Sequence, residues 1–288
     1  MTDSKIEDAL KGPQNLPTLP TVAMRILDLA KSPDWNPRTV ADLISYDQAL
    51  AARVLRLANS AFYGVPQRIT TIAHAVARLG NYTIHSLVRG VVSRQLPGQD
   101  LGSLDHRLFS QYAYRAALCS RLIAQRVALP NLWDLFVAGL LHDIGYLIIG
   151  QHFTAEFEAV VQQCRSLAAS GQTQSMSDLE IEIIGVSHCE VGARLIADWN
   201  LPDLFQVAAK HHERPADAPT PQDQQIAAII ALTEGINPMQ DFVTGVNDGK
   251  MVLPPEVLGM LGLQAEDCVE IRHDLDVQVE KLEGIFDA

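Results

Sequence analysis

Apolar residues recur at helical spacing along almost the whole chain, and this pattern constrains the fold more than any other feature. Val22, Ile26 and Leu29 form one such stripe, with spacings of four and three residues. No segment alternates apolar and polar residues over the length of a β-strand, since residues 251–253 are too few to count. The sequence therefore predicts an all-α, multi-helical fold.

Local start and stop signals place the helices. Asn36, followed by Pro37, is a typical N-cap, and Asp47 is positioned to cap the next helix. Gly80 is predicted to end one helix just before another begins. Ser177 and Glu180 have the spacing of a capping box, in which the two side chains satisfy N–H groups at the start of a helix.

The clearest linker is the segment 97–103, which holds two glycines, a proline and an aspartate in seven residues. We place the subdomain boundary there. The predicted organisation is an N-terminal extension at 1–15, a first helical subdomain at 16–98 and a second at 99–288.

Composition limits the environment and the partners. The 288 residues are 48% hydrophobic and 19% charged, with a net charge of −12. An acidic surface repels phosphate backbones and anionic lipids, so neither a nucleic-acid partner nor a membrane is expected. The four cysteines form neither a C-x-x-C pair nor a disulfide framework, and the N-terminus has no apolar signal core. These features predict a cytoplasmic protein.

The C-terminal segment carries apolar residues at near-heptad spacing. Such a stripe is compatible with a homodimer, although a terminal helix packed on its own core is the commoner arrangement. Its members are Cys268, Ile271, Leu275, Leu282 and Ile285.

A His142-Asp143 doublet follows a strongly apolar segment. Adjacent helical residues diverge by about 100° around the axis, so both can serve one metal ion only near a helix end, which Gly145 permits. Burying two ionisable groups is costly unless a metal or a mutual hydrogen bond compensates. An isolated doublet of this kind is more often structural than functional.

Three further histidines lie in two places, His188 in one and the pair His211-His212 in the other. Alone, each is explained as a capping or surface histidine. Imidazole and carboxylate groups together suit Zn, Mn, Fe or Ni, and the joint presence of these clusters in one helical chain favours a common site.

These motifs, taken in order, resemble the HDOD branch (HD-related output domain) of the HD superfamily of metal-dependent phosphohydrolases. The resemblance covers nearly the whole chain. It is carried by Leu16-Pro-Thr-Leu-Pro20, the segment 47–60 (DQALAARVLRLANS), Leu79-Gly80, His142-Asp143, His188 with Gly192, Trp199-Asn-Leu-Pro202 and His211-His212.

The resemblance implies a metal site with altered ligands. An active HD enzyme has a histidine about 30 residues before the doublet, and the matching residue is identified here as Gln111. Its late aspartate corresponds to Glu234, which is one methylene longer, and a lysine common in the family is replaced by Tyr146. Tyr146 and Lys210 are expected to line the ligand cleft.

The complete set of predicted metal ligands therefore spans five regions of the chain. Asp143 is the candidate catalytic residue, and any divalent metal (Zn, Mn, Fe or Ni) is expected to bind weakly or not at all. The predicted ligands are Gln111, His142, Asp143, His188, His211, His212 and Glu234.

One branch of the superfamily hydrolyses cyclic di-GMP and continues the His-His motif into a Gly-Tyr-Pro sequence. Here the corresponding residues, 215–219, read PADAP. Hydrolysis of that dinucleotide is not expected.

Three functions remain open from the sequence. The favoured hypothesis is a bacterial signal-transduction module with a degenerate HD site, which senses a small ligand or a regulatory protein instead of catalysing. The second is a metal-dependent phosphohydrolase acting on a nucleotide or another phosphorylated small molecule. The third is a pure interaction scaffold. No receiver domain with an acidic cluster precedes the helices, so a two-component input would have to come from another protein.

Overall fold

The all-α prediction is confirmed. A computed structural model describes residues 7, 16–29, 35–63, 67–92, 104–172, 174–238 and 251–286, the last with side chains to residue 280. The structure is 76% helical, and no strand occurs in these ranges. The predicted linker at 97–103 and nearly all of the extension at 1–15 lie outside the described residues.

The first helices precede the predicted linker. They are α1 (Pro20–Leu29), α2 (Pro37–Ile44), α3 (Gln48–Ala58), a 3₁₀ turn (Ala61–Tyr63) and α4 (Ile72–Val92).

The remaining helices follow it and carry the histidines. They are α5 (His106–Arg126), α6 (Leu132–Leu141), α7 (Gly145–His152), α8 (Thr154–Ala169), α9 (Met176–Ile183), α10 (His188–Asp198), α11 (Asp203–His211), a 3₁₀ turn (Pro215–Asp217), α12 (Pro221–Ile236), α13 (Pro255–Leu261) and α14 (Ala265–Phe286).

The buried carboxylate of Asp47 joins the segment around Leu19 to α3. One oxygen accepts the backbone N–H of Leu50 at 2.9 Å and thereby caps α3, as predicted. The other accepts the N–H of Leu19 at 2.6 Å, 28 residues earlier in the chain. The guanidinium of Arg53 donates to the carbonyl of Leu16 at 2.6 Å. Both bonds hold the Leu-Pro-rich entry segment against α3.

Two further local predictions are confirmed. The Asn36 side chain accepts the N–H of Arg38 and caps α2. Gly80 interrupts α4 with a φ of 73°, a left-handed conformation that glycine adopts without a steric penalty, and the helix is kinked there.

The prediction of a capping box at Ser177 and Glu180 is wrong. Helix α9 begins two residues earlier than that motif requires, and Ser175 caps it by accepting the N–H of Asp178. Ser177 and Glu180 point away from the helix start because both contact residues at the start of α10.

Arg68 ties the first helices to the second group. Its guanidinium donates to the carbonyl of Leu201 at 3.0 Å and to the side chains of Asp203 and Asn200 at 2.8 and 2.7 Å. These three bonds fix the segment before α4 against the loop between α10 and α11.

A glycine contact brings α7 and α10 together. A Cβ atom on Gly145 would lie only 2.1 Å from the carbonyl oxygen of His188 and 2.9 Å from the N–H nitrogen of Gly192. Only glycine therefore permits this close approach. As a result, the turn that carries His142 and Asp143 lies beside the first turn of α10.

The C-terminal stripe packs on the core of its own chain over the part that the structure describes. Cys268, Ile271 and Leu275 of α14 are all buried, which favours the commoner of the two arrangements predicted above. The side chains of Leu282 and Ile285 lie outside the described residues.

Among the described residues one segment, Leu132–His152, is long and apolar enough to cross a membrane by composition alone. However, 83% of its most apolar stretch is buried within the fold. That burial is what the core helices of a soluble protein show.

Candidate metal centre

Four polar residues meet at the ends of α6, α7, α10 and α11. His142 and Asp143 lie in the turn between α6 and α7, His188 begins α10 and His212 follows α11. Their side chains are buried, with at most 2% of any of them exposed. The structure thus brings together residues that are up to 70 positions apart in sequence, counting from 142 to 212.

The carboxylate of Asp143 lies at the middle of the group. Its Oδ2 is 3.0 Å from Nε2 of His142, and its Oδ1 is 3.4 Å from Nε2 of His188 and 3.5 Å from Nε2 of His212. Among the described residues, no hydrogen-bond donor is aligned with either oxygen. Burying a carboxylate is costly unless a cation lies beside it. Here that cation is either a protonated imidazole or a metal ion.

The other ring nitrogens fix the orientation of the imidazoles. Nδ1 of His142 donates to the carbonyl of Gly139 at 2.7 Å, and Nδ1 of His212 donates to the carbonyl of Ala209 at 3.0 Å. Because a carbonyl can only accept, the proton of each neutral ring is on Nδ1. The Nε2 atoms of both rings therefore face the carboxylate of Asp143, with a lone pair when the ring is neutral and with an N–H donor when it is protonated.

His188 is held by a second carboxylate. Oε2 of Glu180 accepts its backbone N–H at 2.7 Å and its Nδ1–H at 2.8 Å. The side chain of Glu180 is completely buried. This arrangement of a carboxylate behind a histidine is the usual support of a metal-ligating imidazole.

Glu234 on α12 closes another side of the group. Its Oε1 lies 3.6 Å from Nε2 of His142 and 3.5 Å from Nε2 of His212. Its side chain is 28% exposed, so solvent reaches the centre from this direction.

The thiol of Cys189 joins the group from the first turn of α10. Its Sγ is 3.4 Å from Nε2 of His188 and 3.8 Å from Nε2 of His212, and it is also 3.3 Å from the hydroxyl of Ser177. Cys189 is not among the ligands predicted from the sequence. Its position next to His188 was the signal that could have found it.

The local charges shift several pKa values. Burial opposes protonation of His142, yet the carboxylate of Asp143 beside it prevails and raises its pKa to about 9. Burial likewise opposes ionisation of Asp143, but His142 and the other two imidazoles hold its pKa well below the usual range. Burial acts against the thiolate of Cys189, and His188 and His212 overcome it to lower the pKa to about 7.

Comparison with known proteins agrees with this geometry. The family model of the HDOD domain matches residues 16–215. The chain belongs to the HDOD domain family. Two crystal structures illustrate the shared HDOD fold.

The MmoQ response regulator from Methylococcus capsulatus superposes with a TM-score of 0.69 at 22% identity, covering 90% of this chain and 98% of that one. An HDOD domain protein of unknown function from Geobacter sulfurreducens superposes with a TM-score of 0.54 at 27% identity, covering 99% and 96%.

A curated relative, an uncharacterised protein of Treponema pallidum (strain Nichols), is 26% identical over 278 residues. The match covers 95% of this chain but only 50% of the relative. The HDOD chain therefore spans about half the length of that protein.

The assignment of Gln111 to the first ligand position of the HD pattern needs correction. Gln111 is exposed on α5, whereas its neighbour Tyr112 is completely buried. The phenol oxygen of Tyr112 lies 3.3 Å from Nε2 of His142, which is 30 residues further along the chain. Adjacent residues on a helix differ by about 100° in direction, so only one of the two can face the centre, and that residue is Tyr112.

The other predicted residues divide between centre and surface. The structure places Tyr146 in the centre, where its ring stacks on that of His188 with centroids 4.1 Å apart and planes inclined by 14°. Lys210 is exposed and pairs with Glu190 at 3.5 Å. His211 is half-buried, and Lys210 beside it adds to the effect of burial in lowering its pKa. Within the described ranges, neither of these two residues joins the buried cluster.

The donor atoms present fit a divalent metal. His142, Asp143, His212 and Glu234 each offer one donor atom, and these atoms all lie within 4.8 Å of one another. The unpartnered oxygens of Asp143 and the two Nε2 lone pairs supply ligands of the kind that Zn, Mn, Fe or Ni accepts. A bound metal of this kind polarises a phosphate group and activates water.

Proposed function

We propose that this HDOD chain is a signal-transduction module whose HD-type centre senses a small ligand or a partner protein and does not hydrolyse phosphate esters. The observation that carries the proposal is the position of the Tyr112 side chain beside His142. The phenol faces His142 from the place where the family pattern has an imidazole ligand. A neutral phenol is a far weaker ligand for a divalent metal than imidazole.

Tyr146 supports the same conclusion from the opposite side of the doublet. The family often has a lysine at this position, and the resemblance implies that it contacts phosphate. Tyr146 is only 1% exposed, and its ring is packed flat on His188. It therefore brings no positive charge to a phosphate group.

The charge around the opening also disfavours turnover of an anionic substrate. Glu234 and Glu213 lie within 3.9 Å of imidazoles of the cluster, and their side chains are 28% and 16% exposed. Two carboxylates at the entrance repel a phosphate unless a cation lies between them. A regulatory site that only binds a ligand does not need the positive charge of the lysine that Tyr146 replaces.

The proposed input is a small ligand or a regulatory protein. The net charge of −12 disfavours a nucleic-acid partner. The described part of the C-terminal stripe is occupied within the chain, so we do not propose a dimer through it.

A thermal-shift screen of nucleotides and cyclic dinucleotides tests the sensing role. The expected result is stabilisation of the wild-type chain by one compound, loss of that effect in His142→Ala, and recovery of the compound unchanged. Conversion of the compound by the wild type would overturn the proposal. A complete lack of response would shift support to the interaction scaffold.

A metal-dependent phosphohydrolase is the second candidate function. It is favoured by one observation, the convergence of His142, Asp143, His212 and Glu234 on a common point. In that case Asp143 and the three imidazoles would orient the metal and the attacking water, and Glu234 would have to replace the usual aspartate. Release of phosphate by the wild type and its loss in His142→Ala would establish this function.

A further inference from the structure

We infer that the centre binds a zinc ion through the thiolate of Cys189 together with His188 and His212, beside the carboxylate of Asp143. His188, His212 and Asp143 are also among the ligands that the family resemblance implies, and the thiolate of Cys189 is the new member of the set. The same atoms would hold the ion whether or not the chain hydrolyses phosphate.

The distances among the donor atoms match a zinc site. Zinc bonds of about 2.0–2.1 Å to nitrogen and about 2.3 Å to sulfur place the donors of a tetrahedral site about 3.3–3.6 Å apart. The Nε2 atoms of His188 and His212 are 3.3 Å apart. Sγ of Cys189 lies 3.4 and 3.8 Å from them. These three atoms therefore already form one face of a zinc coordination shell.

The carboxylate of Asp143 borders the two imidazole donors. Its Oδ1 lies 3.4 and 3.5 Å from the same two nitrogens. The side chain is 1% exposed, and neither oxygen has an aligned donor in the described part of the chain. A zinc ion at this position would place positive charge beside this buried carboxylate, which lies 3.0 Å from Nε2 of His142.

The cysteine and the two histidines each have a supporting contact of the kind that metal sites require. The hydroxyl of Ser177 lies 3.3 Å from Sγ of Cys189. The carboxylate of Glu180 accepts Nδ1–H of His188, and the carbonyl of Ala209 accepts Nδ1–H of His212. The position of Cys189 in the first turn of α10 adds the positive end of the helix dipole, which stabilises a thiolate.

Burial and charge favour this set over the alternative that uses Glu234. His188, Cys189 and His212 are 2%, 6% and 0% exposed, whereas the side chain of Glu234 is 28% exposed. One thiolate and one carboxylate neutralise the two charges of the ion. Thiolate is also a softer donor than carboxylate and suits zinc, whereas sites built from oxygen favour Mg, Ca or Mn.

Cobalt substitution tests the inference directly, because a Co²⁺–thiolate bond gives a charge-transfer band in the near ultraviolet. The full chain, reduced and freed of metal, is titrated with Co²⁺. We expect one equivalent to bind with this band and an excess of Zn²⁺ to remove it. Cys189→Ser should lose the band and weaken cobalt binding at least about tenfold.

Two matched variants separate this site from its alternatives. Cys164→Ser changes a half-buried cysteine on α8 and should retain the band. Glu234→Gln removes a ligand of the alternative set only and should also retain it. Should Cys189→Ser fail to fold by circular dichroism, Ser177→Ala serves instead, with an expected loss of about 10–100-fold in cobalt affinity.

Several results would overturn the inference. They are no cobalt binding by the wild type, binding without a thiolate band, survival of the band in Cys189→Ser, and loss of the band in Glu234→Gln.

Discussion

Glu180 accepts two hydrogen bonds from His188, one from the backbone N–H at 2.7 Å and one from Nδ1 at 2.8 Å. Both donors are buried, so removal of the acceptor leaves two unsatisfied groups. We expect Glu180→Ala to lower the free energy of unfolding by about 2–5 kcal/mol, measured by urea denaturation. Glu180→Gln, whose amide oxygen still accepts, should cost less.

Glu182 on the same helix provides the control. It is exposed, so Glu182→Ala should change the free energy of unfolding by no more than about 0.5 kcal/mol. Equal effects of Glu180→Ala and Glu182→Ala would show that the contact with His188 does not stabilise the fold.

The glycine contact between α7 and α10 gives a second prediction. A methyl group on Gly145 would meet the backbone carbonyl of His188 at 2.1 Å, and a backbone atom cannot move aside as a flexible side chain can. We expect Gly145→Ala to destabilise the fold by about 3 kcal/mol or more. Thermal unfolding of the variant is the measurement.

Gly90 is the matched position for this test. It lies in helix α4, and outside its own helical turn no atom of the described residues lies within 4 Å of the place where its Cβ would be. Gly90→Ala should stabilise the fold by up to about 1 kcal/mol, because alanine favours the helix. Similar effects of the two substitutions would contradict the proposed packing of α7 on α10.

Asp47 holds the entry segment and α3 together through its two oxygens, as its bonds to Leu19 and Leu50 show. In Asp47→Asn one of these oxygens becomes an NH₂ group that faces an N–H donor. We expect a loss of about 1–3 kcal/mol in the free energy of unfolding by urea denaturation.

Asn36 caps the neighbouring helix α2 through one bond and is less buried, so it serves for comparison. Asn36→Ala should cost about 0.5–2 kcal/mol. A smaller effect for Asp47→Asn than for Asn36→Ala would show that the bond to Leu19 adds nothing.

His106, the first residue of α5, should make stability depend on pH. Burial lowers its pKa to about 4, although Asp105 beside it favours the protonated ring. In the unfolded chain the pKa is about 6.5, so the unfolded state binds the proton first as the pH falls. The stability is therefore complete above pH about 6.5 and decreases towards pH about 4, by on the order of 1–3 kcal/mol.

Denaturation of the wild type and of His106→Gln across this pH range measures the contribution. The variant should lose less stability between pH about 6.5 and about 4. Parallel pH profiles for the two proteins would contradict the assignment to His106.

The helices were largely predictable because they depend on local signals. Asn36, Asp47 and Gly80 each act on the residues next to them, so their roles could be inferred from the sequence. Ser177 and Glu180 show the limit of this reasoning. Their capping-box spacing is a local signal, but contacts with Cys189 and His188 take both side chains away from the helix start.

The site was predictable only in part because its geometry depends on contacts between distant segments. The motif order alone predicted the metal ligands His142, Asp143, His188, His212 and Glu234. The structure places their side chains together. The choice between Gln111 and Tyr112 depends on the rotation of α5, which the family spacing fixed only to within one residue. Cys189 was overlooked because the family pattern has no thiolate ligand.

Release of inorganic phosphate by the metal-loaded wild type tests the central claim most directly. The chain is loaded in turn with Zn, Mn, Fe and Ni and incubated with nucleotides, cyclic dinucleotides and p-nitrophenyl phosphate, and His142→Ala provides the baseline. With Tyr112 facing His142 and Tyr146 packed on His188, we predict that the wild type releases no more phosphate than His142→Ala. Phosphate release by the wild type that His142→Ala abolishes would contradict the account.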